Sequence, residues 1–149
     1  MAQSSFEEAR LLFMNNNFNA AEPLLIAHLS ANPKDQKTIE YLGDIAGHNK
    51  QWDKAIGYYK TLVELDESNA NYHYKYGGVM GMQALEVNKL KALTMIGDIK
   101  KSFLTAAKLD SNHIDVRWAL VEFYIQLPGI IGGSERKAIG YANELELLS

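Results

Sequence analysis

The amino-acid sequence predicts an all-α chain built from repeated helix pairs, and three observations carry that prediction. Like residues recur at a spacing of 34: Ala21 and Ala55, the aromatics Phe18 and Trp52, Gly43 and Gly77. Between those marks the apolar residues fall three and four apart, as at Ala55, Tyr59 and Leu62, which is the period of one helix face. Short polar turns such as Asn15-Asn16-Asn17 and Asn32-Pro33 interrupt the runs at about the length of a helix.

Taken in order, the first helix is expected to begin near Ser4 or Ser5, whose hydroxyls can cap it, with Glu7 and Glu8 in its first turn and Phe6, Ala9, Leu12 and Phe13 on its apolar face. Asn19 is expected to cap the second helix, with Glu22 three residues on as a capping-box partner, and Pro23 falls about one turn in. The stretch Ile39 to Asp66 is the most regular. Gly43 and Ala55 let two helices approach, while Leu42, Ala46, Trp52, Tyr59 and Leu62 fill the space between them. A glycine inside a helix costs roughly 1 kcal/mol relative to alanine, so Gly43 needs a packing reason.

Tyr76-Gly77 then repeats Leu42-Gly43, but Leu109-Asp110 follows Leu65-Asp66 by 44 residues rather than 34. Ten extra residues therefore lie between Met82 and Ile96. Because ALEVNKLKALTM has no Gly or Pro and is rich in helix formers, both helices are expected to lengthen by about one and a half turns, with a reversal near Val87-Asn88. The last pair runs from Ile114. It stops at Leu127-Pro128-Gly129, turns through PGIIGGS, and restarts with Ser134 as cap and Ala138, Tyr141, Leu145 and Leu148 on its apolar face.

This period, with small and aromatic residues at these positions, resembles the tetratricopeptide-repeat family, in its bacterial type. The resemblance covers nearly the whole chain. It implies a right-handed α-solenoid of four antiparallel helix pairs forming a single domain over residues 1–149, with repeats at about 2–35, 36–69, 70–113 and 114–149, the third carrying the insertion. It also implies a groove lined by the first helix of each pair. Carried over by position, the outward residues there are Phe6 and Arg10; Tyr41, Asp44 and His48; Tyr74, Lys75 and Met82; Trp118 and Glu122. Large amphipathic rings with a few charges suit peptide recognition, although the same rings could fill gaps between neighbouring repeats. Gly47, Gly78 and Gly81 fall on that face too, either baring backbone to a ligand or permitting close helix packing. Some family members grip a carboxylate with Lys, Asn and Arg. Here Phe6 and Tyr41 stand where Lys and Asn are expected, so an acidic C-terminus is not the expected ligand even with Arg10, Lys37 and Lys75 nearby.

Composition excludes much else. No cysteine occurs among the 149 residues, so disulfides, thiol catalysis and cysteine metal sites are ruled out. Fifteen Lys and Arg are diluted by eighteen acids, which argues against nucleic acid as a partner. No apolar run reaches membrane-spanning length. The start MAQSSFEEAR lacks a basic n-region and an apolar h-region, so no signal peptide is expected, and the compartment stays open between cytoplasm and, with an export signal removed, periplasm. His28, His48, His73 and His113 include no pair four apart, with His73 read as packing and the others as surface, so no metal is expected. Gly132-Gly133-Ser134 lacks the lysine of a phosphate loop and reads as a turn. Glu144 and Glu146 read as a solvated helix face. The expectation is a non-catalytic scaffold without cofactor that binds a partner peptide or helix in its groove. The alternative is self-assembly through the C-terminal helix at Leu145, Leu147 and Leu148, giving a homo-oligomer.

Overall fold

The computed structural model describes residues 2–149 and the side chains of residues 5–149. Eight α-helices follow one another, with no strand among the described residues: α1 (Ala2–Met14), α2 (Phe18–Ala31), α3 (Gln36–His48), α4 (Trp52–Leu65), α5 (Ala70–Glu86), α6 (Lys89–Leu109), α7 (Ile114–Gln126) and α8 (Glu135–Leu148), with a single 3-10 turn at Gly129–Ile131. They pack as the pairs α1 with α2, α3 with α4, α5 with α6 and α7 with α8. The chain divides into two compact units, residues 1–67 and 68–149, each holding two helix pairs.

In the first unit the core gathers Ala9, Ala21, Leu25, Tyr41, Leu42 and Ile45, with Phe6, Phe13 and Phe18 packed against it. The rule within the third and fourth helices is a small residue facing a large one. A β-carbon at Gly43 would lie 2.5 Å from Cε1 of Tyr59, so the ring rests on bare helix backbone. Burial and the neighbouring Asp44 push the Tyr59 hydroxyl far above its ordinary range, and it donates to Asp44 Oδ1 at 2.6 Å. One repeat earlier, both positions change together: Ala9 and Leu25 stand there, fully buried.

Two cap assignments differ from expectation. Helix α1 starts at Ala2, so Ser5 lies inside it, and the side chain of Ser4 lies outside the described residues. A serine favours a helix start without enforcing one when Ala2 and Gln3 ahead of it can join the first turn. Helix α2 starts at Phe18, which places Asn19 inside and Asn17 at the cap, without a side-chain cap bond. There the backbone itself completes the turn: Asn16 takes a positive φ of 60°, and the Asn17 N–H donates to Leu12 O at 2.8 Å. Pro23 sits inside α2.

The second unit carries the ten extra residues. Helix α5 is four residues longer than α3, α6 is seven longer than α4, and the turn between them is one residue shorter. The reversal falls at Val87-Asn88, but the lengthening is uneven, about one turn in α5 and two in α6. Asn88 explains the position, since its side chain accepts from the Lys91 N–H at 2.9 Å and starts α6 there. All four helices of this unit have side-chain caps: Asn69 accepts from Tyr72 N–H at 3.1 Å, His113 Nδ1 from Val116 N–H at 3.0 Å and Ser134 Oγ from Lys137 N–H at 3.1 Å. The small-large rule recurs, because a β-carbon at Gly77 would lie 2.9 Å from the Phe103 ring. At the last turn Gly132 has φ 115°, and a β-carbon on Gly133 would overlap the Leu127 carbonyl.

We expect Gly43→Ala to destabilise the protein by about 1–3 kcal/mol through overpacking, and Tyr59→Leu in the same chain to recover most of it, since Ala9 and Leu25 already form that combination. Thermal unfolding of the single and double variants measures this, and an unrescued double variant would contradict the small-large rule. A second expectation concerns pH. The folded chain keeps the Tyr59 proton beyond the ordinary value of 10.0, whereas the unfolded chain releases it there. Stability should therefore fall as pH rises above about 10, and fall less steeply in Tyr59→Phe, as read from urea unfolding across that range.

Candidate functional site

On the first-helix face of the first unit, packing claims most of the expected residues. Tyr41 is a correction: it is buried in the core, its ring 4.4 Å from Phe13 and 6.3 Å from Phe6, with Lys37 Nζ 5.1 Å from its centroid. Its helix position faces α1, whose aromatic side chains close over it. Asp44 is half-buried and already accepts from Tyr59. Phe6 stacks at 4.8 Å on His28. Arg10 pairs with Glu7 at 3.0 Å, a contact between exposed groups that contributes little to stability. His48 is exposed, its ring meeting Phe18 edge-on at 4.7 Å.

The second unit differs. Trp118 is 56% exposed on α7, and Glu122 one turn on is exposed as well. On α5, Met82 is exposed, while Tyr74 and Lys75 are half-buried. The Tyr74 ring lies 5.0 Å from His113, and burial, then Asp115, raises its hydroxyl pKa above the ordinary value. A β-carbon at Gly78 or Gly81 would meet no atom within 4 Å, and the same is true of Gly47. Close helix packing is therefore not what those glycines serve. Openness is not peculiar to this face, since Gly57, Gly97 and Gly140 on second helices are equally unobstructed.

Three structural residues escaped the sequence reading. Arg117 is 4% exposed, and its guanidinium donates to the carbonyls of Ala107, Asp110 and His113 at 3.1, 3.0 and 2.9 Å and to Glu144 Oε1 at 3.1 Å. It ties the end of α6 to the start of α7 and to α8. Glu144, exposed as expected, is in addition the ion-pair partner of Arg117. The available signal was positional: Arg117 is the fourth residue of α7, where α3 has the buried Ile39. His28 is not a surface residue either; its Nε2 lies 3.1 Å from Asp35 Oδ2, which also accepts from Thr38 Oγ1 at 2.6 Å. A carboxylate only accepts, so Nε2 donates to it, while the buried Nδ1 has no partner among the described residues. His113 likewise works as a cap, with Nε2 3.1 Å from Asn71 Oδ1. Among the described residues no group of three His, Asp or Glu could hold a metal ion. No helix among them is long and apolar enough to cross a membrane.

Solved structures define the fold class. MamA from Desulfovibrio magneticus RS-1 is 13% identical with a TM-score of 0.79, covering 99% of this chain and 75% of that one. A thermophilic TPR protein from Thermus thermophilus is 15% identical with a TM-score of 0.78, covering 100% and 75%. An O-GlcNAc transferase from Thermobaculum terrenum matches at 18% identity and a TM-score of 0.76, but only over 26% of its own length. No family model matches the chain, and neither does any curated protein sequence. The chain has the tetratricopeptide-repeat fold.

We expect Arg117→Met to lower stability by about 2–4 kcal/mol, because four charge-assisted bonds are lost together. Glu144→Gln should cost well under half of that, since the carboxylate is half-exposed and the three carbonyl bonds remain. Comparable losses in the two variants, measured by urea unfolding, would mean the ion pair and not the carbonyl ties is the main contribution.

Proposed function

We propose that the protein is a non-catalytic interaction scaffold that holds a peptide or helix of a partner protein along the first-helix face of its second unit, on α5 and α7. The observation that carries this reading is Trp118, a large ring left 56% exposed on a helix whose opposite side is fully buried at Val116 and Leu120. Exposed tryptophan is costly in water and supplies contact area with little side-chain entropy to lose. Further along the first-helix face of the unit, Met82 adds a flexible apolar contact, Tyr74, Lys75 and Glu122 add polar ends, and Gly78 and Gly81 leave helix backbone that a ligand can approach closely. The helices stand pre-formed, so binding costs little ordering. Partner recognition in the first unit rests on Arg10, Phe6 and His48 alone, and is the lesser part.

Self-assembly through α8 has less to support it. Leu145 is buried against its own unit and Leu148 is half-buried, which leaves Leu147 as the exposed leucine of that group.

The test is selection from a displayed library of random peptides on the full chain. Trp118→Ala should weaken the selected peptides at least tenfold while leaving the melting temperature within a few degrees. Gly78→Ala should weaken them without loss of fold, because its β-carbon enters open space. A sharp fall in melting temperature for Trp118→Ala would make that ring a structural residue, and peptides indifferent to both variants would place the site elsewhere.

A further inference from the structure

The connection from α6 to α7 is short, residues 110–113, so the four helices of the second unit alternate in direction. The turn joining α5 to α6 and the turn joining α7 to α8 therefore lie at the same end of that unit. That end is apolar and uncovered. Leu85 is 72% exposed and Leu90 79% exposed on either side of the first turn, and Ile130 is 95% exposed at the tip of the second. Leu93, Ile125 and Ile131 are exposed beside them. Single exposed leucines are ordinary on protein surfaces, but six large aliphatic residues sharing one end are not.

Charge says what they would meet. Lys89 and Lys91 alternate with Leu90 on the first turn, and Arg136 and Lys137 follow Ile131 on the second, against three carboxylates, Glu86, Glu135 and, near the end of α7, Glu122, all seven exposed. This end is cationic in a chain whose net charge is −3. The opposite end carries Asp110, Asp115, Glu144 and Glu146, against Lys108 and the buried Arg117. Aliphatic side chains projecting singly from turns, with lysine and arginine between them, match the interface of an anionic bilayer, where the apolar tips enter the acyl boundary and the cations stay among the headgroups. The extra residues serve this arrangement, since the four added to α5 carry the first turn about 6 Å further along the helix axis than a helix of the length of α3 would reach.

We propose that the turn end of the second unit, through Leu85, Leu90 and Ile130 with Lys89, Lys91, Arg136 and Lys137, docks peripherally on an anionic lipid surface. Trp118 lies along the side of α7 and not at its end, so this contact is independent of the peptide site.

The absence of cysteine makes a direct test simple. The full chain, carrying Leu90→Cys or Ile130→Cys and a polarity-sensitive fluorophore, is mixed with vesicles of phosphatidylcholine containing phosphatidylserine. Both labels should shift to the blue, while a label at Ser30→Cys in the first unit should not. In co-sedimentation with the same vesicles, unlabelled chain should bind, bind less as salt rises, and bind poorly to pure phosphatidylcholine. Leu90→Ser with Ile130→Ser should weaken binding by about a hundredfold, roughly tenfold for each buried aliphatic side chain, with unchanged thermal unfolding. The proposal is overturned if the full chain fails to sediment with phosphatidylserine vesicles at low salt, or if the double variant binds as well as the parent. It is equally overturned if the parent forms a concentration-dependent dimer that the double variant does not, which would assign this end to a second copy of the chain.

Discussion

The approach of paired helices at Gly43 and Gly77 is the constraint on which the rest of the structure depends. At both places an aromatic ring of the second helix lies on the backbone of the first, at distances that no β-carbon would tolerate. This brings the two helices of a pair close together, and it aims the remaining apolar residues of each helix into the shared space. A glycine inside a helix weakens it locally, and the ring it admits more than offsets that loss through the apolar area it buries. Ala9 with Leu25 shows that the requirement is on the summed size of the two partners and not on glycine as such.

Once the pairs are set, the remaining polar groups divide the two units by how they are satisfied. In the first unit the turns are completed by backbone bonds, the side chain of Asp35 is taken up by the Thr38 hydroxyl and the His28 imidazole, and that of Asp44 by the Tyr59 hydroxyl of α4. In the second unit every helix is capped by a side chain, and Arg117 binds three carbonyls at the junction of α6 and α7. The consequence for function is that the first unit has few uncommitted groups on its first-helix face, while the second leaves Trp118, Met82 and Glu122 in solvent.

The lengthened α5 and α6 also alter what the second unit presents. A hairpin of ordinary length would have turned about one helical turn earlier along α5. The added residues are helix formers with leucine among lysine, so they extend the helices and leave Leu85 and Leu90 with nothing to pack against. The same insertion that keeps the repeat frame intact thus creates a surface that the repeat pattern does not require.

The sequence by itself determined the kind of elements, the pairing of helices and the reversal near Val87-Asn88. These follow from the spacing of apolar and small residues and from turn chemistry, which are local in the chain. It also placed Gly43 and Gly77 at equivalent points of successive pairs, while the rings they meet, Tyr59 and Phe103, were identified by the structure. Which ring faces outward was decided only by the tertiary structure. Tyr41 and Trp118 occupy adjoining positions on equivalent helices, and one is buried beneath Phe13 and Phe6 while the other stands in solvent. One residue of offset turns a side chain by about 100° around the helix, so part of the difference is positional, and Phe6 and Phe13, tens of positions earlier in the chain, supply the rest by closing over Tyr41. Arg117 and His28 were illegible for the same reason, since a polar side chain turned inward has meaning only once the carbonyls or carboxylate that satisfy it have been brought to it by the fold.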